Sequence, residues 1–165
     1  MLNRIITKKF SNSSQGSAMI EIIIGSSIML VGILAIVASY NTYIQYALTN
    51  QSNVESTYLL REGLEVVSYM RDKGWAGNIA NLSTSNTYYL TWSANDWSIT
   101  TTPVYVDGIY LRSITISDVM RDVNDDISVS GTNDPDTKLI TASVSFMQSQ
   151  GMTTKTMSKY ITNIK

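Results

Sequence analysis

Glu21 is the residue of this 165-residue chain whose surroundings most constrain its chemistry. It lies four positions beyond Ser17 and five beyond Gly16, and the next charged residue is Glu55, after an uncharged gap of about 33 residues. A gap of that length is enough to cross a bilayer, which takes about 20 apolar residues. A carboxylate inside such a segment costs about 2.5–3.5 kcal/mol near a helix centre, and less near an end. In low dielectric it is tolerable chiefly when a cation accompanies it. The spacing therefore points to an ion pair made in an apolar setting. The alternative is a side chain that snorkels into the headgroup layer.

Other chemistry is thinly supplied. Cysteine and histidine are both absent, which removes thiol nucleophiles, disulfides, zinc sites built on those ligands and histidine acid–base catalysis. A hydrolase using Ser with Lys or Asp would need a nucleophile motif, and none is recognisable. The reading is of a chain that is not an enzyme and holds no cofactor. The lack of thiols leaves the redox compartment open. A second cluster sits in "SDVMRDVNDDISVSGTNDPDTK", where Asp118, Asp122, Asp125, Asp126, Asp134 and Asp136 are hard oxygen ligands of the kind calcium takes. Their spacing lacks the glycine and closing glutamate of an EF-hand, and Asn133-Asp134-Pro135-Asp136 reads as a turn between two strands. These residues are taken as solvated turns, with no metal assigned.

Charge is unevenly placed. The formal net charge is −1. Arg4, Lys8 and Lys9 are the only charges before Glu21, so the first twenty residues are basic. The rest carries nine Lys or Arg against thirteen Asp or Glu, about −4. No clustered basic face suggests nucleic acid. Positive residues on the N-terminal flank of the apolar run, with none beyond it until Arg61, predict a single-pass orientation with the N-terminus inside and the C-terminus outside.

The elements that must position these residues follow from periodicity. From 18 to about 72 no proline interrupts a helical reading. Its first part is apolar on all sides to about Ala38, as a lipid-embedded or bundled helix is. Gly25 and Gly32 lie seven apart on one face, and small residues on such a stripe let helices approach closely. Tyr40, Tyr43 and Tyr46 form an interfacial aromatic belt. The segment "VESTYLLREGLEVVSYMRDKGW" is amphipathic: Leu60, Leu64 and Val67 recur beside Leu59, Val66 and Met70. Gly74 supplies a stop, with Trp75 folding back as its hydrophobic contact. Beyond Trp75 the period drops to two. "TYYLTW" and "WSITT" flank Ser93-Ala94-Asn95-Asp96 as a hairpin, "GIYLRSITISDV" and "KTMSKYITNI" are strands, and "KLITASVSF" turns Ile140, Ala142, Val144 and Phe146 to one face. The fold class is α+β: a long helix on a small antiparallel sheet.

Gly16, Ser17 and Glu21 ahead of a long apolar helix resemble the cleavage and methylation motif of type IV prepilins and pseudopilins. The resemblance is specific over about the first 35 residues. In that family a prepilin peptidase cuts after the glycine, and the glutamate becomes the fifth residue of the mature chain. Counting from Ser17, Glu21 is fifth. The resemblance implies cleavage between Gly16 and Ser17, N-methylation of Ser17, and an assembly role for Glu21 opposite the amine that cleavage creates. A free α-amine, with a reference pKa of about 7.7–8, is largely protonated at neutral pH. It further implies a pilin-like fold and a filament subunit, a minor pilin or pseudopilin of a pilus, secretion or DNA-uptake machine. Its partners would be other pilin subunits, the peptidase, an inner-membrane assembly platform and, before assembly, lipid. Two departures stand out. Ser17 occupies a position that is most often Phe or Met in the family, and Ala38 stands where many pilins carry proline. An uncleaved single-pass protein with a ligand-binding head stays open. The chain divides into a basic leader, 1–16; a long helix, 17–74, membrane-spanning over about 20–48; and a β head, 75–165.

Overall fold

The structure, a computed structural model, describes residues 14–148 and 151–164, with side chains from residue 16. Most of the leader, including Arg4, Lys8 and Lys9, lies outside the described residues. Two compact units divide the chain, Met1–Leu48 and Thr49–Lys165.

Helix α1 runs Ser14–Lys73. It contains no proline, and Arg71 and Lys73 occupy its last turn, where cations favour the carbonyl end of the helix. Gly74 ends it with φ 152°, a backbone conformation that favours glycine, and donates its N–H to the Arg71 carbonyl at 3.0 Å. The short helix α2, Trp75–Asn78, follows directly. Trp75 is buried, as the expected contact at the helix end requires. Asn78 Nδ2 donates to the Met70 carbonyl at 3.1 Å, meeting one of the acceptors the last turn leaves open.

The second unit builds one antiparallel sheet. Its strands are β1 (Thr87–Ser93), β2 (Asp96–Thr100), β3 (Tyr105–Val106), β4 (Tyr110–Arg121), β5 (Ile127–Ser128), β6 (Thr132–Gln148) and β7 (Gly151–Thr162). The order is β2-β1-β4-β6-β7, with β3 and β5 as short additions to β4. Ala94 and Asn95 connect β1 to β2 with φ 52° and 61°, the two positive values that a two-residue type I′ hairpin demands. On β6 the expected alternation holds, with Ile140, Ala142 and Val144 fully buried and Phe146 nearly so.

The Asn133–Asp136 stretch departs from its expected place between strands, because it lies inside β6. Asp118 pairs with Lys138 but Val119 pairs with Asp134, so three residues of β6 are extruded as a bulge that contains Pro135. A bulge is one of the few sheet positions that accept proline, which lacks the N–H a ladder needs.

The 49–73 part of α1 covers the sheet. Leu60, Leu64, Val66, Val67 and Met70 join Tyr88, Leu90, Tyr110, Ile114, Ile116, Ile140, Val144 and Ile161 in one core. Gly63 faces the sheet with little space in front of it. A Cβ there would lie 3.3 Å from Arg112 Cδ, 3.4 Å from Ile114 Cδ1 and 3.7 Å from the Cβ of Ala142. Arg112, Ile114 and Ala142 thus line the space beside Gly63, and little room remains for a larger side chain there. Gly63→Leu forces the layers apart and is expected to destabilise the protein by about 1–3 kcal/mol through overpacking. A urea midpoint equal to that of the unmodified protein would show that the seam is not close-packed.

Candidate functional site

Gly16, Ser17, Glu21, Gly25 and Gly32 all belong to α1 and all are solvent-exposed. Ser17 and Glu21 stand one turn apart on one face, about 6 Å along the axis. Around them the surface is apolar. Ile20, Ile22, Met29, Val31 and Ile36 are each at least 61% exposed, and α1 is long and apolar enough to cross a membrane. Nothing lies within 4 Å of a Cβ built at Gly25 or Gly32. A contiguous apolar surface of this extent marks a lipid- or protein-facing segment.

Four hydroxyls of this segment are satisfied inside the helix. Ser26 and Ser27 Oγ donate to the Ile23 carbonyl at 3.0 and 2.6 Å. Ser39 donates to the Ala35 carbonyl and Thr42 to that of Ala38, at 2.9 and 3.0 Å. Such back-bonding lets a hydroxyl sit in an apolar medium without an external partner. A carboxylate has no proton to donate to a carbonyl, so Glu21 cannot use this device. Among the described residues it makes no hydrogen bond or ion pair. The helix continues through Gly32 and Ala38 without interruption.

Most of the aspartates of 118–136 are engaged by the protein's own cations and backbone. Asp118 accepts from Lys138 Nζ. Arg121 Nε donates to Asp134 Oδ2 at 2.6 Å and its NH1 to the Asp125 carbonyl at 2.7 Å. Asp122 Oδ1 caps the turn, accepting the N–H groups of Asn124 and Asp126 at 2.8 and 3.0 Å. Asp136 accepts from Asn163 Nδ2 at 2.8 Å. Among the described residues no three carboxylates converge on a point that a cation could occupy. Gly131 closes this loop against β4, since a Cβ there would fall 2.0 Å from the Arg121 carbonyl oxygen.

Polar links between helix and sheet escaped the sequence reading. Tyr110 Oη donates to Glu55 at 2.8 Å, and Arg112 NH1 donates to Glu62 at 2.5 Å. Burial, and then the neighbouring Glu55, push the Tyr110 phenol above its usual range. Arg112 is only 3% exposed, although it occupies a core-facing position of β4. Lys155 Nζ donates to the Asn53 carbonyl and Lys159 Nζ to Ser68 Oγ, both at 3.1 Å. The available signal was spacing. Glu55 and Glu62 share a helix face seven apart, while Tyr110 and Arg112 share a strand face two apart.

Comparison of the chain with protein-family models, with curated proteins and with solved structures gave no match.

The ion pairs fix a pH dependence. The Arg121 guanidinium beside Asp134, and the Lys73 ammonium beside Asp96, hold both carboxyls below the ordinary carboxylate range. Between their folded values and the unfolded value of about 3.9, the unfolded chain binds more protons, so stability rises with pH there. The contribution is complete above about pH 5 and is lost as pH falls through the folded values. Both pairs are solvent-accessible, so the effect is modest. Urea midpoints are expected to fall between about pH 5 and 2, with a shallower fall in Asp134→Asn. An equal slope in that variant would remove Asp134 from the account.

Proposed function

We propose that this chain is a structural subunit, a minor pilin or pseudopilin, of a type IV pilus-like or type II secretion-like filament. The observation that carries this reading is the register of Gly16, Ser17 and Glu21 immediately ahead of an uncharged apolar helix face. In this reading the precursor is held in the membrane by α1 over about 20–48, with the C-terminal unit outside. A prepilin peptidase cuts after Gly16, and Ser17 becomes an N-methylated terminus. Cleavage is the step that supplies the counter-ion. A neutral amide nitrogen becomes a protonated amine, and Glu21 gains a partner on its own chain or on a neighbouring subunit. The exposed Gly25–Gly32 stripe then packs against other subunits as the helix leaves lipid. The chain supplies no catalysis, so its partners are pilin subunits, the peptidase and the assembly platform.

A permanent single-pass anchor would use the same apolar surface, and processing separates the two. Intact mass and N-terminal sequencing of the protein from native membranes is expected to give a chain that begins at N-methylated Ser17. That species should be missing from a strain without the peptidase. A chain that keeps residues 1–16 in both strains overturns the proposal. Glu21→Ala is expected to leave membrane insertion intact and to reduce filament incorporation to background. Normal incorporation of that variant would remove the carboxylate from assembly.

A further inference from the structure

We infer that the cleft between the β1–β2 hairpin and the flank of α1 is a binding site for an organic ammonium group. This inference concerns the head unit alone and does not rest on the filament reading. Alternation along β1 turns Tyr88, Leu90 and Trp92 toward the helix, and on β2 it turns Trp97 and Ile99 the same way. Tyr88 and Leu90 meet the core, but Trp92 lies beyond its edge and is 57% exposed. It is paired across the hairpin with Trp97, ring centroids 5.4 Å apart and planes at 66°. Two steeply inclined indoles thus form a corner. Val66, Tyr69, Glu62 and Glu65 of α1 complete a cleft of about 410 Å³, within the range of small-ligand sites.

The hairpin that carries the corner is fixed to the helix. Lys73 pairs with Asp96 in the turn, and Tyr69 Oη donates to Asp96 Oδ1 at 3.1 Å. The rings already hold cations of the protein itself. The Arg112 guanidinium lies 5.4 Å from the Trp97 centroid and the Lys73 ammonium 5.6 Å from that of Tyr69. Both of those cations are also neutralised, Arg112 by Glu62 and Lys73 by Asp96. Glu65 has no such partner among the described residues, and Trp92 carries no cation. One unneutralised carboxylate beside an exposed indole is a complement for a further cation. An ammonium bearing alkyl groups suits it best, since it presents apolar surface to the rings and charge to Glu65. The cation is a quaternary ammonium group, since the primary ammonium of a lysine is compact and strongly hydrated and offers the rings little apolar surface.

The test uses the full chain in a detergent without ammonium groups, with the indole N–H signals of Trp75, Trp92 and Trp97 followed by NMR. Choline chloride is titrated against sodium chloride at equal ionic strength and against choline's uncharged tert-butyl analogue. Saturable shifts confined to Trp92 and Trp97, and produced by choline alone, are expected. Trp92→Ala should weaken binding at least about threefold, and Glu65→Gln about twofold. A parallel titration with phosphocholine is expected to give the same shifts, and a lysine peptide that binds more tightly than choline overturns the inference. An equal response to the uncharged analogue, a response to a disaccharide in place of choline, or no saturable shift overturns the inference.

Discussion

The approach of α1 to the sheet at Gly63, against Arg112 and Ile114 of β4 and Ala142 of β6, constrains how the rest of the 49–165 unit is arranged. A glycine at this seam lets the helix lie close to these side chains, and larger residues fill the space on either side. Leu60, Leu64, Val67 and Met70 do so from the helix, and Ile114, Ile140, Val144 and Phe146 from the sheet. The same closeness brings Glu62 within reach of Arg112. A buried guanidinium is costly unless paired, and here a carboxylate takes one nitrogen while an indole lies near the group. Its Nε keeps no hydrogen-bond partner. Dispersion, sterics and one ion pair all depend on the same seam.

Within the apolar stretch of α1 the governing constraint is electrostatic. The hydroxyls of Ser26, Ser27, Ser39 and Thr42 fold back onto carbonyls about one turn earlier, so the helix needs nothing from outside for them. Glu21 has no comparable local remedy. Under the proposed assembly its partner is made by a covalent step, which ties the stability of the packed state to processing of the chain. Charge neutralisation then works as a checkpoint, because an uncut precursor lacks the amine.

How much of this was legible in the sequence depended on whether the signal was local. Period-two alternation in "KLITASVSF" and the 3.6 period through Leu60, Leu64 and Val67 each record a single buried face, and both were readable. The Ser93–Asp96 turn was readable because a hairpin this tight needs residues that tolerate positive φ. Gly63 was not singled out, since a glycine within a helix shows its reason only when the opposing strand is known. Arg112 was unreadable for the same reason: its place in the core depends on Glu62, fifty residues away. The Asn133–Asp136 stretch was misjudged because proline and aspartate mark turns and bulges alike, and only the pairing partner separates them. Of the candidate site, the Gly16–Ser17–Glu21 register is visible in sequence, but the Trp92–Trp97 corner depends on how the hairpin lies against the helix.

The outer strand β7 has a consequence for what the head can and cannot join. As an edge it offers a row of backbone donors and acceptors, the usual template for an unwanted neighbour. Yet Lys155 and Lys159 stand opposite Val144 and Ile140, on the core-facing side, where they reach the helix. A foreign strand that extended the sheet here would have to cover two ammonium groups that its own apolar face could not match. Inward-pointing charge beside an edge is a known guard against strand addition. The β7 edge is thereby guarded against strand addition, so crowded neighbours would not fuse through that side of the sheet.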